Sequence, residues 1–367
     1  MSDTLNSVSS GPVCLGIETS CDETSVALWA GGRLEGELVH TQIPMHSVFG
    51  GVVPELASRE HLRLLDPLVS SLLERAGRPA GEGIELVAVT RGPGLLGALL
   101  VGIAYAKSFA QALGVPVIGV NHLHAHLMAC EFSGPIEYPA LGLLVSGGHT
   151  HLYHMPRECE FELLGRTLDD AAGEAFDKIA KLLNLPYPGG KYIDELARLG
   201  TPDLHLFTRP YLNNDNCDFS FSGLKTAVAL HVESSALPAL DYADFDAATA
   251  PQRIKDLCAT VNETIALTLL EKTRRALARC TGVRTVCLAG GVAANSRLRQ
   301  VFSGFAADNG LKFLAPAQNY CGDNGAMIAY AGVRLARMGL ASSMDFEAIP
   351  RGRNVPDDYI VNPYFKE

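Results

Sequence analysis

Apolar and small polar positions alternate along this chain in a pattern that predicts two strand–turn–strand hairpins, one in each half of the sequence. The first covers residues 15–28 and turns through small polar residues, and the second covers residues 143–152 and turns at a glycine pair. Glycines let a backbone take positive φ and approach a ligand closely, and successive free N–H groups in such a turn bind anions such as phosphate. Either segment alone is equally consistent with an ordinary hairpin, but the pair predicts two similar lobes that face each other across a nucleotide.

The rest of the pattern predicts alternating strands and helices. Leucines at helical spacing behind a proline predict a helix over residues 54–76, and a long helix is predicted over residues 256–280. We expect loops over residues 46–51 and 203–218, and a loosely ordered tail after Arg351. Shorter apolar runs predict strands at residues 35–42, 85–90, 115–120, 285–288 and 312–314.

Length and composition indicate a folded protein with room for two domains. The chain has 367 residues, of which 47% are hydrophobic and 19% charged, and this composition favours a globular core over a largely disordered protein. It contains no apolar run of 18 residues, so no transmembrane helix is predicted. Residues 1–10 are polar and differ from a secretory signal, so we expect a disordered leader. The nine cysteines lack CxxC spacing and indicate reduced thiols in the cytosol.

The net charge of −10 disfavours a general nucleic-acid binder, because such proteins usually carry a basic excess. A local basic patch, or a partner that supplies one, stays compatible with this charge. The densest basic group is Lys272, Arg274, Arg275, Arg279 and Arg284. A solvated helix surface is the favoured interpretation of this group.

Residues 92–97 have the spacing GxGxxG of a dinucleotide-binding turn, but two observations argue against that function. The dinucleotide fingerprint has an acidic residue about 20 positions further on, and residues 110–129 contain neither Asp nor Glu. Pro93 also removes an N–H group that a pyrophosphate would use. We therefore favour a glycine turn that allows close packing of a helix on a strand.

Two histidines directly after a predicted buried strand form a candidate metal site. Asn121 is a suitable helix cap, and His122 and His126 then lie four residues apart on one helical face, with His124 pointing nearly the opposite way. Packing and metal binding both remain open for this pair. No Glu follows His122, so the HExxH motif of zinc proteases is missing. Asp323, before a later helix, is either the cap of that helix or a third metal ligand.

Acidic side chains recur on the predicted helix over residues 168–183. Asp170, Glu174 and Asp177 are three or four positions apart and therefore share one face. Asp194 lies one turn into the next helix. A solvated face explains these carboxylates, and the alternative is that they bind ribose hydroxyls or a metal-bound phosphate.

Polar residues also accompany the glycine turns. Ser146 and His149 add side-chain donors at the turn of the second hairpin. A later strand ends in Gly290–Gly291, where a flat ring can approach the bare backbone, and Asn295 follows as a candidate hydrogen-bonding partner of that ligand.

Nine sequence motifs in the same order resemble those of a known family over residues 13–338, nearly the whole chain. The family is TsaD, the tRNA threonylcarbamoyladenosine transferases, once named sialoglycoproteases. The resemblance implies an α/β fold of the actin/Hsp70/sugar-kinase class, with two RNase H-like lobes around a nucleotide cleft. The motifs are GIETSCDETSVAL, GGVVPELASREH, NHLHAH, LVSGGHTHL, DDAAGEAFDK, YPGG, FSFSGLKT, AGGVAAN and CGDNGAMIA.

The resemblance also implies a domain organisation. After the leader, the N-lobe covers residues 11–136, and a helix at about 324–345 packs back on it. The C-lobe covers residues 137–323, and residues 346–367 form a C-terminal tail.

The implied activity moves a threonylcarbamoyl group from threonylcarbamoyl-AMP to N6 of the adenosine 3′ to the anticodon, in tRNAs that read codons beginning with A. The implied cofactor is one divalent metal ion per subunit, iron(II) in preference to zinc, and ATP or AMP can occupy the substrate site. The implied partners are tRNA, a paralogous TsaB-like subunit, a TsaE-like ATPase and a TsaC-like synthase that supplies the adenylate. We expect a cytoplasmic enzyme without a membrane partner.

Site residues follow from the resemblance position by position. The metal ligands are His122, His126 and Asp323, and the catalytic residues near the phosphate and carbamoyl groups are Glu18 and His149. In the archaeal and eukaryotic branch a tyrosine at the position of Leu144 also ligates the metal, and the leucine here fits the bacterial branch and leaves one ligand site for water, substrate or phosphate. The substrate-binding positions are Leu144, Val145, Ser146, Gly147, Gly148, Asp177, Gly190, Asp194 and Asn295.

No serine or cysteine nucleophile is evident, so we expect direct attack by the adenosine amine. Three other functions are alternatives: an ATPase or kinase of the same fold, a metal-dependent glycoprotease, and a module that only senses nucleotide.

Overall fold

The computed structural model describes residues 11–235, 237 and 245–361. The predicted leader, residues 1–10, and the last part of the predicted tail, residues 362–367, lie outside this range.

The chain divides into two compact units. Unit 1 is formed by residues 1–128 together with residues 323–367, and unit 2 by residues 129–322. The lobe boundaries predicted from the sequence lie after residues 136 and 323, and they remain predictions.

The strands, in chain order, are β1 (Cys14–Glu18), β2 (Glu23–Ala30), β3 (Arg33–Thr41), β4 (Leu86–Gly92), β5 (Val117–Asn121), β6 (Ala140–Val145), β7 (Thr150–Met155), β8 (Glu162–Arg166), β9 (Thr285–Ala289), β10 (Lys312–Leu314), β11 (Leu340–Ala341) and β12 (Ile360–Val361). The helices are α1 (Ile43–Ser47), α2 (Pro54–Arg75), α3 (Leu96–Leu113), α4 (His122–Met128), α5 (Ala172–Leu182), α6 (Gly189–Ala197), α7 (Ser222–Ser234), α8 (Gln252–Arg279), α9 (Ser296–Asp308) and α10 (Gly325–Arg337). Short 3-10 turns lie at Pro79–Gly81, Ala129–Ser133, Gly291–Ala294 and Gln318–Tyr320.

Unit 1 is built on a five-stranded mixed sheet in the order β3-β2-β1-β4-β5. The predicted first hairpin is the antiparallel pair β1–β2, and β4 and β5 continue the sheet in parallel to β1. Leu15 and Ile17 of β1 pack with α2 and α3 in one hydrophobic core. Successive residues of a strand point to opposite faces, so Gly16 between them faces the other side, where α10 packs. Strand β1 is buried throughout because helices cover both faces.

The close approach of α10 to β1 depends on the missing side chain at Gly16. A Cβ at this position would lie 2.5 Å from the backbone nitrogen of Ala329 and 2.6 Å from the carbonyl oxygen of Gly325. Both atoms belong to helix backbone and have little room to move. This contact holds the start of α10 against the centre of the sheet.

The predicted loop over residues 46–51 is wrong at its beginning, because His46 lies in helix α1. Its ring is fully buried, with Nε2 3.1 Å from Oε1 of Gln42 and Nδ1 3.3 Å from the backbone nitrogen of Val53. These side-chain contacts stabilise a short helix that the local pattern does not predict.

Helix α3 is long and apolar enough to cross a membrane by length and composition, with a mean hydropathy of 1.4, although 33% of its residues are buried in the fold. Leu99, Ile103, Ala106 and Ala110 pack in the core of unit 1 with residues of β1 and β4. A helix that packs in the core of a folded unit has this length and composition too.

Unit 2 contains a second five-stranded sheet, in the order β10-β9-β6-β7-β8. The predicted second hairpin is the antiparallel pair β6–β7, and β9 and β10 join parallel to β6. The helix predicted over residues 168–183 begins only at Ala172. The preceding backbone pairs elsewhere, since the N–H of Leu168 donates to the carbonyl oxygen of Phe219 at 2.9 Å.

The interpretation of the basic group as a solvated surface holds for the exposed Arg274, Arg279 and Arg284 but is wrong for Lys272. Lys272 is fully buried, and its ammonium donates to Oδ1 of Asn214 at 2.7 Å and to the carbonyl oxygen of Asn216 at 3.0 Å. Arg275 and Arg279 donate to carbonyl oxygens of the same loop. Burial and the neighbouring charge of Arg275 lower the pKa of Lys272 to about 8. These cations fix the predicted loop over residues 203–218.

The described part of the tail after Arg351 is mostly exposed and has little regular secondary structure, but it is attached to unit 1 at defined points. Strand β12 pairs antiparallel with β11, and the hydroxyl of Tyr359 donates to the carbonyl oxygen of Gly119 at 3.0 Å. The carboxylate of Asp358 also pairs with the buried guanidinium of Arg91.

We predict that Gly16→Ala destabilises the protein by about 1–3 kcal/mol, because the added methyl group overpacks the contact between β1 and α10. Gly304→Ala is the matched control. Gly304 is exposed within α9, a Cβ there meets nothing within 4 Å, and alanine favours helix by roughly 1 kcal/mol. Thermal unfolding of both variants checks the prediction. An unchanged midpoint for Gly16→Ala would show that α10 does not need this close approach.

Candidate functional site

The structure brings His122, His126 and Asp323 together in unit 1. One ligand atom from each residue lies within 4.8 Å of the other two. Nε2 of His126 is 3.1 Å from Oδ1 of Asp323, and Nε2 of His122 is 3.5 Å from the same oxygen. Both histidines are buried. Two imidazole nitrogens and one carboxylate oxygen form a donor set suited to a divalent iron or zinc ion.

Local structure explains how the two histidines converge. Oδ1 of Asn121 accepts hydrogen bonds from the backbone N–H groups of Leu123 at 3.0 Å and His124 at 3.4 Å, so α4 starts directly at the end of β5. Residues four apart then share a helical face, and the ring centroids of His122 and His126 are 4.6 Å apart.

The third residue of the cluster comes from the turn before α10. Asn324 caps α10, because its Oδ1 accepts a hydrogen bond from the N–H of Met327 at 2.8 Å. The carboxylate of Asp323 faces the two histidines instead. Of the two interpretations of Asp323 from the sequence, the structure therefore excludes the cap.

Glu18 lies behind His122 and is fully buried. Its Oε2 accepts from Nδ1 of His122 at 3.0 Å and from the hydroxyl of Thr90 at 2.6 Å, and its Oε1 accepts from the N–H of Ser20 at 2.5 Å. A carboxylate on one nitrogen of an imidazole fixes the tautomer and directs the other nitrogen outward. Thr90 and Ser20 are parts of the site that the sequence analysis did not identify.

Burial opposes the charged form of both histidines, but the two behave differently. At His122 the carboxylates of Glu18 and Asp323 outweigh burial and raise the pKa to about 9. At His126 burial prevails and lowers the pKa, although the hydrogen bond to Asp323 acts against it. Near neutral pH His122 is therefore protonated and His126 neutral. A divalent ion needs both rings in the neutral form with a free lone pair on the ligating nitrogen, so its binding displaces one of the two ring protons of His122.

The charge of Asp323 also acts on two residues of the first hairpin, Cys21 in its turn and Glu23 at the start of β2. Burial, followed by the charges of Asp22 and Asp323, raises the pKa of Glu23 well above its usual range. Burial and the same two carboxylates raise the pKa of the Cys21 thiol. This turn carries small polar residues in the sequence, but nothing in the pattern shows that Cys21 and Glu23 lie within the electrostatic influence of Asp323.

In unit 2, the glycine turn between β6 and β7 closes on itself. The N–H of Ser146 donates to the carbonyl oxygen of His149 at 2.8 Å, and the N–H of His149 donates to Oγ of Ser146 at 3.1 Å. The expectation of positive φ is wrong at Gly147, whose φ lies outside the left-handed region. A Cβ there would meet nothing within 4 Å, so the fold itself does not require this glycine.

Leu144 and Val145 lie before this turn and are fully buried in β6. His149 is half-buried, with its ring centroid 5.5 Å from that of His151. Burial, and then the charge of Arg166, lowers the pKa of His151 to about 4.

The acidic residues near α5 divide into two groups. Asp170 and Glu174 both pair with the ammonium of Lys178, at 2.6 and 2.9 Å. Oδ1 of Asp177 instead accepts from the N–H groups of Gly189 at 2.8 Å and Gly190 at 3.3 Å, at the start of α6. The predicted acidic face therefore consists of an ion-pair group and a carboxylate that orders the next helix.

Asp194 and Asn295 belong to one buried polar network. Oδ1 of Asp194 accepts from Nδ2 of Asn262 at 3.2 Å and from the hydroxyl of Ser296 at 2.9 Å. Asn295 caps α9 by accepting from the N–H of Leu298 at 3.0 Å, and its Nδ2 donates to Oδ1 of Asn262 at 2.8 Å. Asn262 lies within the long helix α8, and no motif in the sequence marks it.

The chain is similar to one known protein family, and to curated members of it, over most of its length. Residues 33–330 match the family model of TsaD: tRNA N6-adenosine threonylcarbamoyltransferase. The tRNA N6-adenosine threonylcarbamoyltransferase of Nitratidesulfovibrio vulgaris (strain DP4) is 53% identical over 357 residues, covering 96% of this chain and 99% of that protein. The protein of the same name from Lawsonia intracellularis is 52% identical over 355 residues, covering 95% and 99%.

Solved structures with the same fold include two HypF proteins. Full-length HypF in a phosphate- and nucleotide-bound form has a TM-score of 0.57 and 14% identity, covering 90% of this chain and 47% of HypF. HypF of T. kodakarensis has a TM-score of 0.56 and 16% identity, covering 89% of this chain and 48% of that HypF. The chain thus spans about half the length of HypF. Together with the family match, this likeness confirms the predicted actin/Hsp70/sugar-kinase-like α/β fold class.

We predict that Zn²⁺ binding to the metal-free chain near pH 7 releases roughly one proton, because the ion must displace the proton of His122. Since the pKa of His122 is about 9, the apparent affinity should rise with pH and level off above that value. Calorimetric titration in buffers of different ionisation enthalpy measures the proton release.

Glu18→Gln is the matched variant, because it removes the first carboxylate that raises this pKa. We expect a smaller proton release near neutral pH and a lower affinity for the ion. Equal proton release by the unaltered chain below and above pH 9 would contradict the assignment of the displaced proton to His122.

Proposed function

Because this chain belongs to the TsaD family of tRNA N6-adenosine threonylcarbamoyltransferases, we propose that His122, His126 and Asp323 hold a divalent ion that assists threonylcarbamoyl transfer. The family and the enzyme class inferred from the motifs are confirmed, and the chain is a transferase that forms N6-threonylcarbamoyladenosine in tRNA. Within the part of the chain that the structure describes, no observation favours the ATPase, kinase, glycoprotease or sensor alternatives.

The donor set of the cluster is the observation that carries the metal proposal. Two histidines and one carboxylate with open positions are typical of non-haem iron(II), and the same set suits catalytic zinc, so we propose iron(II) with zinc as the alternative. When bound, such an ion supplies a Lewis acid that polarises a carbonyl or phosphate oxygen.

We propose that Glu18 is a positioning residue that acts through His122. Its contacts with Ser20, Thr90 and His122 support this role, because they use both carboxylate oxygens in a fully buried place. The carboxylate keeps a proton on Nδ1 of His122, so that Nε2 is presented to the ion. In this proposal Glu18, predicted from the family resemblance as a catalytic residue, acts through the metal ligand His122.

The substrate is proposed to be threonylcarbamoyl-AMP, bound by residues of unit 2. The open space at Gly147 supports backbone contact with the donor at the glycine turn, and buried Leu144 and Val145 would contribute through their backbone. His149 is proposed to contact the phosphate or carbamoyl group. The remaining proposed binding residues are Ser146, Gly148, Asp177, Gly190, Asp194 and Asn295.

We propose direct attack by the adenosine amine. N6 forms the new C–N bond, the bond from the carbonyl carbon to the phosphate oxygen breaks, AMP leaves, and the amine proton is released to solvent. The state of Cys21, the thiol beside the metal cluster, supports this step. Burial and nearby carboxylates raise its pKa, so it stays protonated and is a poor nucleophile.

The proposed partners are tRNA, a paralogous TsaB-like subunit, a TsaE-like ATPase and a TsaC-like synthase, all in the cytoplasm. The net charge of −10 supports the view that the chain does not dock tRNA alone but shares a basic surface with its partners.

We predict that His126→Ala lowers tRNA modification at least about 100-fold, because two ligands no longer retain the ion. His124→Ala is the control, since this residue lies on the same helix outside the cluster. The reaction contains the full chain, its partners, tRNA, threonine, bicarbonate and ATP, and mass spectrometry of the nucleosides measures the product. Metal analysis of the purified variants gives a second readout. Full modification by a His126→Ala protein that lacks metal would refute the proposal.

A further inference from the structure

The described C-terminal residues after α10 form a strap that is fixed to unit 1 on both sides of Arg351. On the N-terminal side, the ammonium of Lys107 donates to the carbonyl oxygen of Phe346 at 2.6 Å and lies 4.1 Å from the centroid of that ring. On the C-terminal side, the guanidinium of Arg91 contacts both carboxylate oxygens of Asp358. Arg91 is 3% exposed, so the second attachment is anchored in the interior.

Between these attachments the strap follows the turn after β4 in a fixed register. The N–H of Ile349 donates to the carbonyl oxygen of Arg91, and the N–H of Arg351 donates to that of Gly94, both at 2.9 Å. Gly92 has a φ of 149°, and a Cβ there would lie 2.2 Å from the carbonyl oxygen of Ile349. As predicted, the GxGxxG turn allows close packing. The element that approaches Gly92 is the strap, however, whereas the sequence predicted close packing of a helix on a strand.

The same turn connects Arg351 to the metal cluster. A Cβ at Gly94 would lie 2.7 Å from the carbonyl oxygen of Ser20, which also accepts from the N–H of Leu95 at 2.8 Å. Oγ of Ser20 is 3.4 Å from Nδ1 of His122. Backbone contacts thus lead from Arg351 through the turn to the loop that supports the first metal ligand.

Electrostatics agrees with this placement. Burial lowers the pKa of His122, the carboxylates of Glu18 and Asp323 raise it, and the positive charge of Arg351 acts against them. The guanidinium of Arg351 is nevertheless exposed, and it has no side-chain hydrogen bond or ion pair among residues 11–235, 237 and 245–361. The backbone of Arg351 is held by a hydrogen bond, while its guanidinium has no ion-pair partner among the described residues.

We propose that the strap presents Arg351 as a phosphate-binding residue at the metal cluster, with the phosphate of the adenylate donor as its ligand. The inference rests on the proposed donor, threonylcarbamoyl-AMP. A planar guanidinium binds two phosphate oxygens at once and keeps its charge at every physiological pH, which suits a phosphate whose charge increases as AMP leaves. The phosphodiester backbone of tRNA offers the same chemistry, and the experiment separates the two sources.

The test compares binding of AMP and adenosine to the full chain by calorimetry, because the two ligands differ only in the phosphate. We expect Arg351→Gln to weaken AMP binding about tenfold and to leave adenosine binding unchanged. Arg353→Gln is the matched control, since Arg353 is exposed on the same strap two positions further on, and it should bind AMP like the unaltered chain. Arg351→Lys should recover part of the lost affinity.

A second pair of variants tests the strap itself. Asp358→Asn weakens the attachment to Arg91, so it should lower AMP affinity in the unaltered chain but have no further effect when combined with Arg351→Gln. Additive losses would mean that the strap does not act through Arg351, and they would overturn the proposal.

The remaining outcomes distinguish this proposal from the proposed function. If the unaltered chain binds AMP no better than adenosine, the proposed donor fails and this inference fails with it. If the chain prefers AMP and Arg351→Gln keeps that preference, only the role of Arg351 is refuted. In the modification reaction, Arg351→Gln should raise the KM for the adenylate and not for tRNA, and the reverse result would assign the phosphate to tRNA and overturn the proposal.

Discussion

A buried negative charge at the end of β1 is the constraint on which the candidate metal centre depends. Burying a carboxylate such as Glu18 costs several kcal/mol unless donors surround it. Its three donors come from Ser20 after β1, Thr90 in β4 and His122 after β5. Because β1, β4 and β5 are parallel neighbours, their carboxyl ends meet at one edge of the sheet, where α/β folds usually place their sites. The strand order thus brings the three donors together around Glu18, and the carboxylate of Glu18 in turn orients the ring of His122.

Unit 2 also contains a buried carboxylate that is surrounded by hydrogen-bond partners. Asp194 is largely buried and is satisfied by Asn262 and Ser296, while Asn295 joins the same network and caps α9. A network in which every polar group has a partner rigidifies the backbone around it, whereas a partly satisfied one is costly. In both units a buried carboxylate therefore fixes the position of neighbouring polar groups before any ligand arrives.

The sequence predicts the features that depend on neighbouring residues, and fails for those that depend on distant ones. Both hairpins, most strands and the shared face of His122 and His126 follow from local periodicity. The packing of Lys272 under a loop does not, because its partners lie far away in the chain. The family motifs point to Glu18, but only the fold shows that it stands behind His122. The cap of α10 was equally ambiguous, since Asp323 and Asn324 are both good capping residues and three-dimensional contacts decide between them.

Unit 1 is assembled from both ends of the polypeptide, and this arrangement has a consequence for biosynthesis. The two histidines leave the ribosome before the whole of unit 2, whereas their carboxylate partner, Asp323, follows after it. A nascent chain that stops anywhere within unit 2 carries an incomplete set of ligands and lacks the helix that covers β1. Premature termination or a frameshift before that point therefore yields a product with an exposed core, which cellular proteases can recognise and remove.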